Sequence, residues 1–345
     1  MIRFNSDYQE GAHPRILQRL LDVNYVQNPG YGQDDFCAQA ADLIRDRCRA
    51  PKADVHFLMG GTQTNLTFLD AALRPYQGVL CADTAHIHTH ETGAVEATGH
   101  KLLALPHQDG KVAAGQISEY CREYFSSDVK AHMVMPKVVY ISNPTELGTI
   151  YTRSELLALR GVCDHWNLSL YMDGARLGYG LASPKNDLDL PFIAQTCDAF
   201  YIGGTKQGAL FGEALVIVRD ELKRDFCYFV KQKGAMLAKG WLLGLQFGEL
   251  FRDDLYFDLS RHAVSLAMRL KAALQEMRVP FLVDSPTNQQ FPILPDGVLK
   301  RLDEAFSYSY QERVDAEHSA VRFCTSWATK SEDVDALVDC LKALL

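Results

Sequence analysis

The sequence predicts an α/β protein: a large domain with a mainly parallel central sheet covered by helices on both faces, then a smaller α+β domain. Three observations lead there. Short apolar runs of strand length alternate with helical patterns from residue 14 to residue 218. Two of the runs end in a carboxylate and an amine, where parallel sheets present groups to a ligand, beyond the carboxyl ends of their strands. From about residue 255 the alternation stops, and a long helix, several short strands and a closing helix follow. With 345 residues the chain also exceeds the roughly 250–300 at which one core stops growing.

Pro14 suits the first turn of a helix whose apolar face carries Ile16, Leu17, Leu20 and Leu21. The turn formers Asn28-Pro29-Gly30-Tyr31-Gly32 make a loop before a second helix over about 34–49. Val55-His56-Phe57-Leu58-Met59 reads as a strand and 62–74 as a helix. Strands at 79–82 and 101–105, a helix at 115–125, a strand at 137–141 and a helix at 153–166 continue the series. Strands at 168–172 and 199–202, with Leu215-Val216-Ile217-Val218, complete it. Beyond lie a helix at 258–278, short strands near 280–283, 288–293, 306–310 and 320–324, and a helix at 331–344. The division expected is an N-terminal segment, 1–30, contributing to the active site, a large domain, 31–254, and a small domain, 255–345.

Composition is that of an ordinary globular protein, with 47% hydrophobic and 23% charged residues. A net charge of −8 argues against nucleic acid or an anionic membrane as partner. No run approaches the roughly 18 apolar residues of a membrane span, and the opening does not resemble a signal peptide. Nine cysteines without a Cys-x-x-Cys pair read as reduced thiols of a cytoplasmic protein.

Chemistry concentrates at two strand ends, Tyr171-Met172-Asp173-Gly174-Ala175-Arg176 and Ile202-Gly203-Gly204-Thr205-Lys206. A carboxylate and an amine on neighbouring strand ends are what pyridoxal 5'-phosphate needs, Asp173 for its ring nitrogen and Lys206 for a Schiff base. The amine reacts only when neutral, and Arg176 is a cation that would lower its pKa. The phosphate needs donors at a helix start. Met59-Gly60-Gly61-Thr62-Gln63 leaves a strand and enters a helix, offering amides and the Thr62 hydroxyl, with Thr205 as a second hydroxyl. Ala85-His86-Ile87-His88-Thr89-His90-Glu91 raises the question of a metal, but no cluster with ligand spacing accompanies it. No metal is expected; His86 stacked on the pyridine ring is the better reading.

In this order the motifs resemble the L-threonine aldolase family, within the aromatic amino acid β-eliminating lyase group of fold type I, aspartate-aminotransferase-like enzymes. The likeness runs from Asn5 to about Trp327. Ser6-Asp7 is similar to the family's N-terminal pair, Tyr31-Gly32 with Asp34 to its Tyr-Gly-Asp loop, and Gly61-Thr62-Gln63-Thr64-Asn65 to its phosphate loop. His86 with Glu91 and Gly93, Asn143, Asp173 to Arg176, Thr205-Lys206 and Val321-Arg322 resemble its remaining signatures. The resemblance implies that Ser6, Arg176 and Arg322 hold the substrate carboxylate, while Tyr31, His90 and Asn143 line the substrate pocket. Where family members often carry a second active-site histidine, this chain has Thr145 or Glu146. An arginine sent to the phosphate by a neighbouring subunit is replaced by Lys239 or Lys233.

The implied reaction is retro-aldol cleavage of an L-β-hydroxy amino acid, threonine, allo-threonine or a bulkier analogue, to glycine and an aldehyde. The base for the β-hydroxyl is open among His86, His90, Glu91 and an ordered water. Elimination from Cβ, giving a 2-oxo acid and ammonia, is the alternative within the same chemistry, and a non-catalytic cofactor carrier the alternative outside it. A homo-oligomer, a dimer or dimer of dimers with active sites at subunit interfaces, is expected from the same resemblance.

Overall fold

The computed structural model describes all 345 residues. Seven strands form the main sheet, in the spatial order Asp54–Leu58, Glu213–Ile217, Ala199–Gly203, Ser169–Asp173, Met135–Ser142, Gln77–Ala82 and Lys101–Leu105. Every pairing from Ala199–Gly203 onward is parallel, and Glu213–Ile217 alone runs antiparallel to its two neighbours. Ser169–Asp173, Ala199–Gly203 and Glu213–Ile217 are buried along their whole length, which is why they read as continuous apolar runs.

Helices pack on this sheet through the periodic positions. Asp35–Cys48 buries Cys37, Ala40, Ala41, Ile44 and Cys48, and the Asp34 side chain accepts the Cys37 N–H at its start. Arg153–Trp166 opens with a reciprocal Thr152 and Glu155 cap. A helix that the periodicity does not reveal, Trp241–Phe251, is apolar nearly all round because it is buried nearly all round. A Cβ at Gly244 would stand 2.4 Å from the Cys37 nitrogen, so glycine is what lets this helix meet Asp35–Cys48.

A second buried cluster gathers Leu266, Leu270 and Leu274 of the long helix Leu255–Glu276, Val321 and Phe323, and Val334, Leu337 and Leu341 of the closing helix Ser331–Leu344. Phe4 joins it: Ile2–Arg3 pairs in parallel with Phe306–Ser307, and the Cys324 N–H donates to the Phe4 carbonyl. The N-terminal strand is thereby tied to the last third of the chain, which sets Asn5 to Tyr8 over the end of the main sheet. Here the expected strands are corrected. Residues 280–283 form no strand, only a single bridge from Phe281 to Pro292, and 306–310 divides into Phe306–Ser307 and Ser309–Arg313. No helix is long and apolar enough to cross a membrane, and all nine cysteines are free thiols, seven of them buried.

Candidate active site

The strands Ser169–Asp173 and Ala199–Gly203 end side by side because two glycines let them. A Cβ at Gly174 would lie 1.9 Å from the Tyr201 carbonyl oxygen, and one at Gly203 would lie 2.3 Å from that of Ala175. The Gly203 N–H donates to the Gly174 carbonyl at 2.9 Å, so the Asp173 and Lys206 loops are stitched together directly. Asp173 is buried and fully partnered. Its Oδ1 accepts from Tyr201 O–H at 2.6 Å and the Ala175 N–H at 3.0 Å, its Oδ2 from Tyr140 O–H at 2.6 Å and Asn65 at 3.0 Å. Burial pushes its pKa up, but the His86 ring and the Tyr140, Tyr201 and Asn65 hydrogen bonds outweigh it and hold the carboxyl below its usual range.

Lys206 experiences the opposite sign. Burial first, then the Arg176 charge, depress its amine, the change that frees a lone pair. Behind it stands Glu213, whose Oε2 accepts the Gly204 N–H at 3.1 Å and whose Oε1 accepts the Thr205 hydroxyl at 2.9 Å. Thr205 therefore braces the lysine loop against the neighbouring strand. Burial drives the Glu213 pKa up to about 8, despite the lowering influence of Lys206.

Arg176 is gripped by Asp7, Nε to Oδ2 at 2.7 Å and Nη2 to Oδ1 at 3.0 Å, and Asn288 also donates to Oδ2 at 2.9 Å. Its Nη1 has no partner and the residue lines the cavity. Arg322 is held by Gln289, the Asn5 carbonyl and Ser309, on the far side of the same opening. Two adjoining cavities, of about 320 and 520 Å³, share Tyr8, His86, Glu146, Arg176 and Lys206 in their walls.

The helix Gly61–Ala72 points its N-terminus at the first cavity, with Gly60, Gly61 and Thr62 in the wall and no side chain capping it. Gln63 is turned away, bridging the Met59 N–H and the Lys233 carbonyl. A polar chain runs beneath the site: Asn65 Nδ2 donates both to Asp173 and to Glu91 Oε1 at 2.8 Å, and Glu91 Oε1 also accepts from His86 Nδ1 at 2.7 Å. Glu91 has no exposed side-chain surface and does not reach the cavity. Burial would lower the His86 pKa, but the Glu91 hydrogen bond and the Asp173 and Glu91 charges raise it. His90 lines only the outer cavity, its ring 5.5 Å from that of His86.

Other expected residues are not brought in within one chain. Tyr31 lines a separate cavity of about 400 Å³ beside Lys231. Lys239 is exposed, and Lys233 is paired with Asp70 at 2.7 Å. Ser6 is buried next to Asp7, outside the cavity walls. Asn143 is buried too, with Oδ1 accepting the Tyr151 N–H.

These features fit pyridoxal phosphate: a buried carboxylate held below its usual range, an amine shifted toward its neutral form and an uncapped helix start converge on one cavity. A family model described as beta-eliminating lyase matches residues 4–295. A low specificity L-threonine aldolase from Pseudomonas aeruginosa is 31% identical, covering 97% of this chain and 95% of its own. A solved structure of Leishmania major threonine aldolase is 46% identical with a TM-score of 0.97, covering 100% of this chain and 99% of that one. The chain belongs to the L-threonine aldolase family, among the beta-eliminating lyases. An aromatic aminotransferase from Pyrococcus horikoshii, 16% identical with a TM-score of 0.71 over 100% of this chain and 95% of that one, shares the fold, which is fold type I. This threonine aldolase family member is a pyridoxal-phosphate-dependent lyase.

The sequence assigns no role of their own to several residues that the family site contains here. Tyr140 and Tyr201 are single tyrosines inside apolar strands, and only the register that sets them beside Asp173 reveals their use. Asn65 carried a signal, since it lies on the buried face of Gly61–Ala72 with Phe68 and Leu69. Glu146 and Glu213, charged residues in otherwise apolar or turn-rich stretches, are the other two.

Proposed function

We propose that the chain cleaves an L-β-hydroxy amino acid, threonine, allo-threonine or a bulkier analogue, to glycine and an aldehyde. The observation that carries the reading is one cavity walled by Lys206, Asp173 and an Arg176 with a free Nη1, in a chain of the threonine aldolase family. When bound, pyridoxal phosphate supplies the electron sink for the pair released at Cα. Lys206 is the residue to attach it, Asp173 to hold a proton on its ring nitrogen, His86 to cover its face, and the amides of Gly61 and Thr62 with the Thr62 hydroxyl to bind its phosphate. Arg176, already aimed by Asp7, presents Nη1 to the substrate carboxylate, with Arg322 across the opening. Orientation is the chain's main contribution, because the bond to be broken must be aligned with the sink.

The test is L-threonine with the cofactor-loaded protein, scoring acetaldehyde and glycine. Lys206→Ala is expected to lose at least about 10³-fold in kcat/KM. A 2-oxo acid and ammonia instead would make the chain an eliminating lyase, and no product from any β-substituted amino acid would overturn the reading.

Assembly and location belong to the same proposal. A homo-oligomer with sites at subunit interfaces is supported by the exposed positions of Tyr31 and Lys239, outside their own chain's cavity. A cytoplasmic location is supported by nine unpaired thiols. The division near residue 254 is supported by a second buried cluster built mainly from residues 266–341.

A further inference from the structure

Of the bases the sequence offers, none is well placed. His86 gives its Nδ1 to Glu91 and is biased toward imidazolium, a proton donor; Glu91 lies beneath the cavity floor; His90 reaches only the outer chamber. The reaction nevertheless requires that a proton leave the β-hydroxyl as the Cα–Cβ bond breaks.

We propose that Glu146 is that base, with its free oxygen Oε2 accepting the β-hydroxyl proton. The assignment rests on the aldol reading above. Glu146 Oε1 is fixed from two sides, by the His86 backbone N–H at 2.8 Å and the Ser142 hydroxyl at 2.7 Å. Oε2 has no partner in the chain, and Glu146 stands in the shared wall of both chambers with Arg176 and Lys206. An anchored carboxylate with one oxygen turned to the substrate space is what general-base geometry requires. In the step, the O–H bond breaks and its proton passes to Oε2. The oxygen's electrons form the aldehyde C=O as the Cα–Cβ bond breaks. The pair left at Cα is later protonated to give glycine, so threonine equals acetaldehyde plus glycine atom for atom.

Around Glu146, burial and the Asp173 charge outweigh the hydrogen bonds, that of Ser142 first, that would hold its carboxyl down. Lys206, Arg176 and Glu213 share the inner chamber, His90 and Arg322 the outer one, while Tyr140, Tyr151 and Cys81 lie buried nearby. A raised carboxylate suits a base working near neutral pH.

Glu146→Gln separates this role from a structural one, because exchange of the glycine α-proton with D₂O needs no β-hydroxyl base. The expected result is a loss of about 10²–10⁴-fold in threonine cleavage, with α-proton exchange by NMR within about threefold of wild type. Visible absorbance of bound cofactor and the melting temperature should stay unchanged. Cleavage retained within about threefold, or both reactions lost together, overturns the assignment. If Glu146→Gln fails to fold, Ser142→Ala decides: removing that donor should move the acid limb of the kcat/KM profile to higher pH, and an unmoved limb overturns the proposal. A wild-type protein that exchanges the glycine proton yet cleaves no β-hydroxy amino acid overturns the aldol reading itself, and this assignment with it.

Discussion

At the scale of single residues, the site is a set of buried charges, each held in one protonation state by named neighbours. Asp173 and Asp7 are kept below the usual carboxylate range, Asp7 because Arg176 and Lys206 outweigh the raising influence of its burial. Glu146 and Glu213 go the other way, and burial raises Glu213 to about 8. Its sign is clear. A folded-state pKa above the unfolded value means the native chain retains a proton that the unfolded chain has lost, so this contribution to stability is full below about pH 4.3 and disappears as pH rises toward 8. Glu213→Gln mimics the protonated form: its amide can donate to Thr205 Oγ1 while its oxygen accepts the Gly204 N–H. Denaturant unfolding of the cofactor-free protein between pH 5 and 8 should show wild type losing about 1–3 kcal/mol relative to the variant, and parallel curves would refute the account. Asp173, Lys206 and Arg176 were legible in sequence because each sits at the end of a recognisable strand. Glu213 was not, because its meaning depends on an antiparallel neighbour that periodicity cannot identify.

Among elements, the decisive contact is the close approach of Ser169–Asp173 and Ala199–Gly203, with the Gly203 N–H bonded to the Gly174 carbonyl. Gly174→Ala places a methyl where the Tyr201 carbonyl stands, so the strand ends must part. Tyr201 also bonds Asp173, so the separation would disturb the carboxylate as well as the sheet. A loss of about 3 kcal/mol in unfolding free energy is expected, with cofactor affinity reduced in absorbance titrations. Wild-type stability in this variant would show that the strand ends can separate freely. The parallel series was readable because each element has one period and one length, and the helix Arg153–Trp166 carries its own cap. Trp241–Phe251 was not readable, since burial on every side leaves an apolar run with no period. The short strands after residue 280 were misjudged where pairing is too brief to leave an alternating pattern, as at Phe281.

At the scale of the whole molecule, the N-terminus pairs with Phe306–Ser307 and so carries Asp7 to Arg176, joining residues 169 positions apart in one ion pair. Such long-range closure gives no local sequence signal. The same holds for whatever a second copy contributes. If Lys239 serves the phosphate of a neighbour's site, Lys206→Ala and Lys239→Glu damage different chains of one shared site. Each variant alone is expected to be inactive at limiting cofactor. Co-refolded in equal amounts as dimers, half would be hybrids, and each hybrid would hold one site with an intact Lys206 from one chain and an intact Lys239 from the other. About a quarter of wild-type sites should then recover activity. If Lys239 serves its own chain, every site keeps a lesion and mixing recovers nothing. The mixture therefore tests both the assembly and the origin of the phosphate charge, because activity regained on mixing requires that one site draw on two chains.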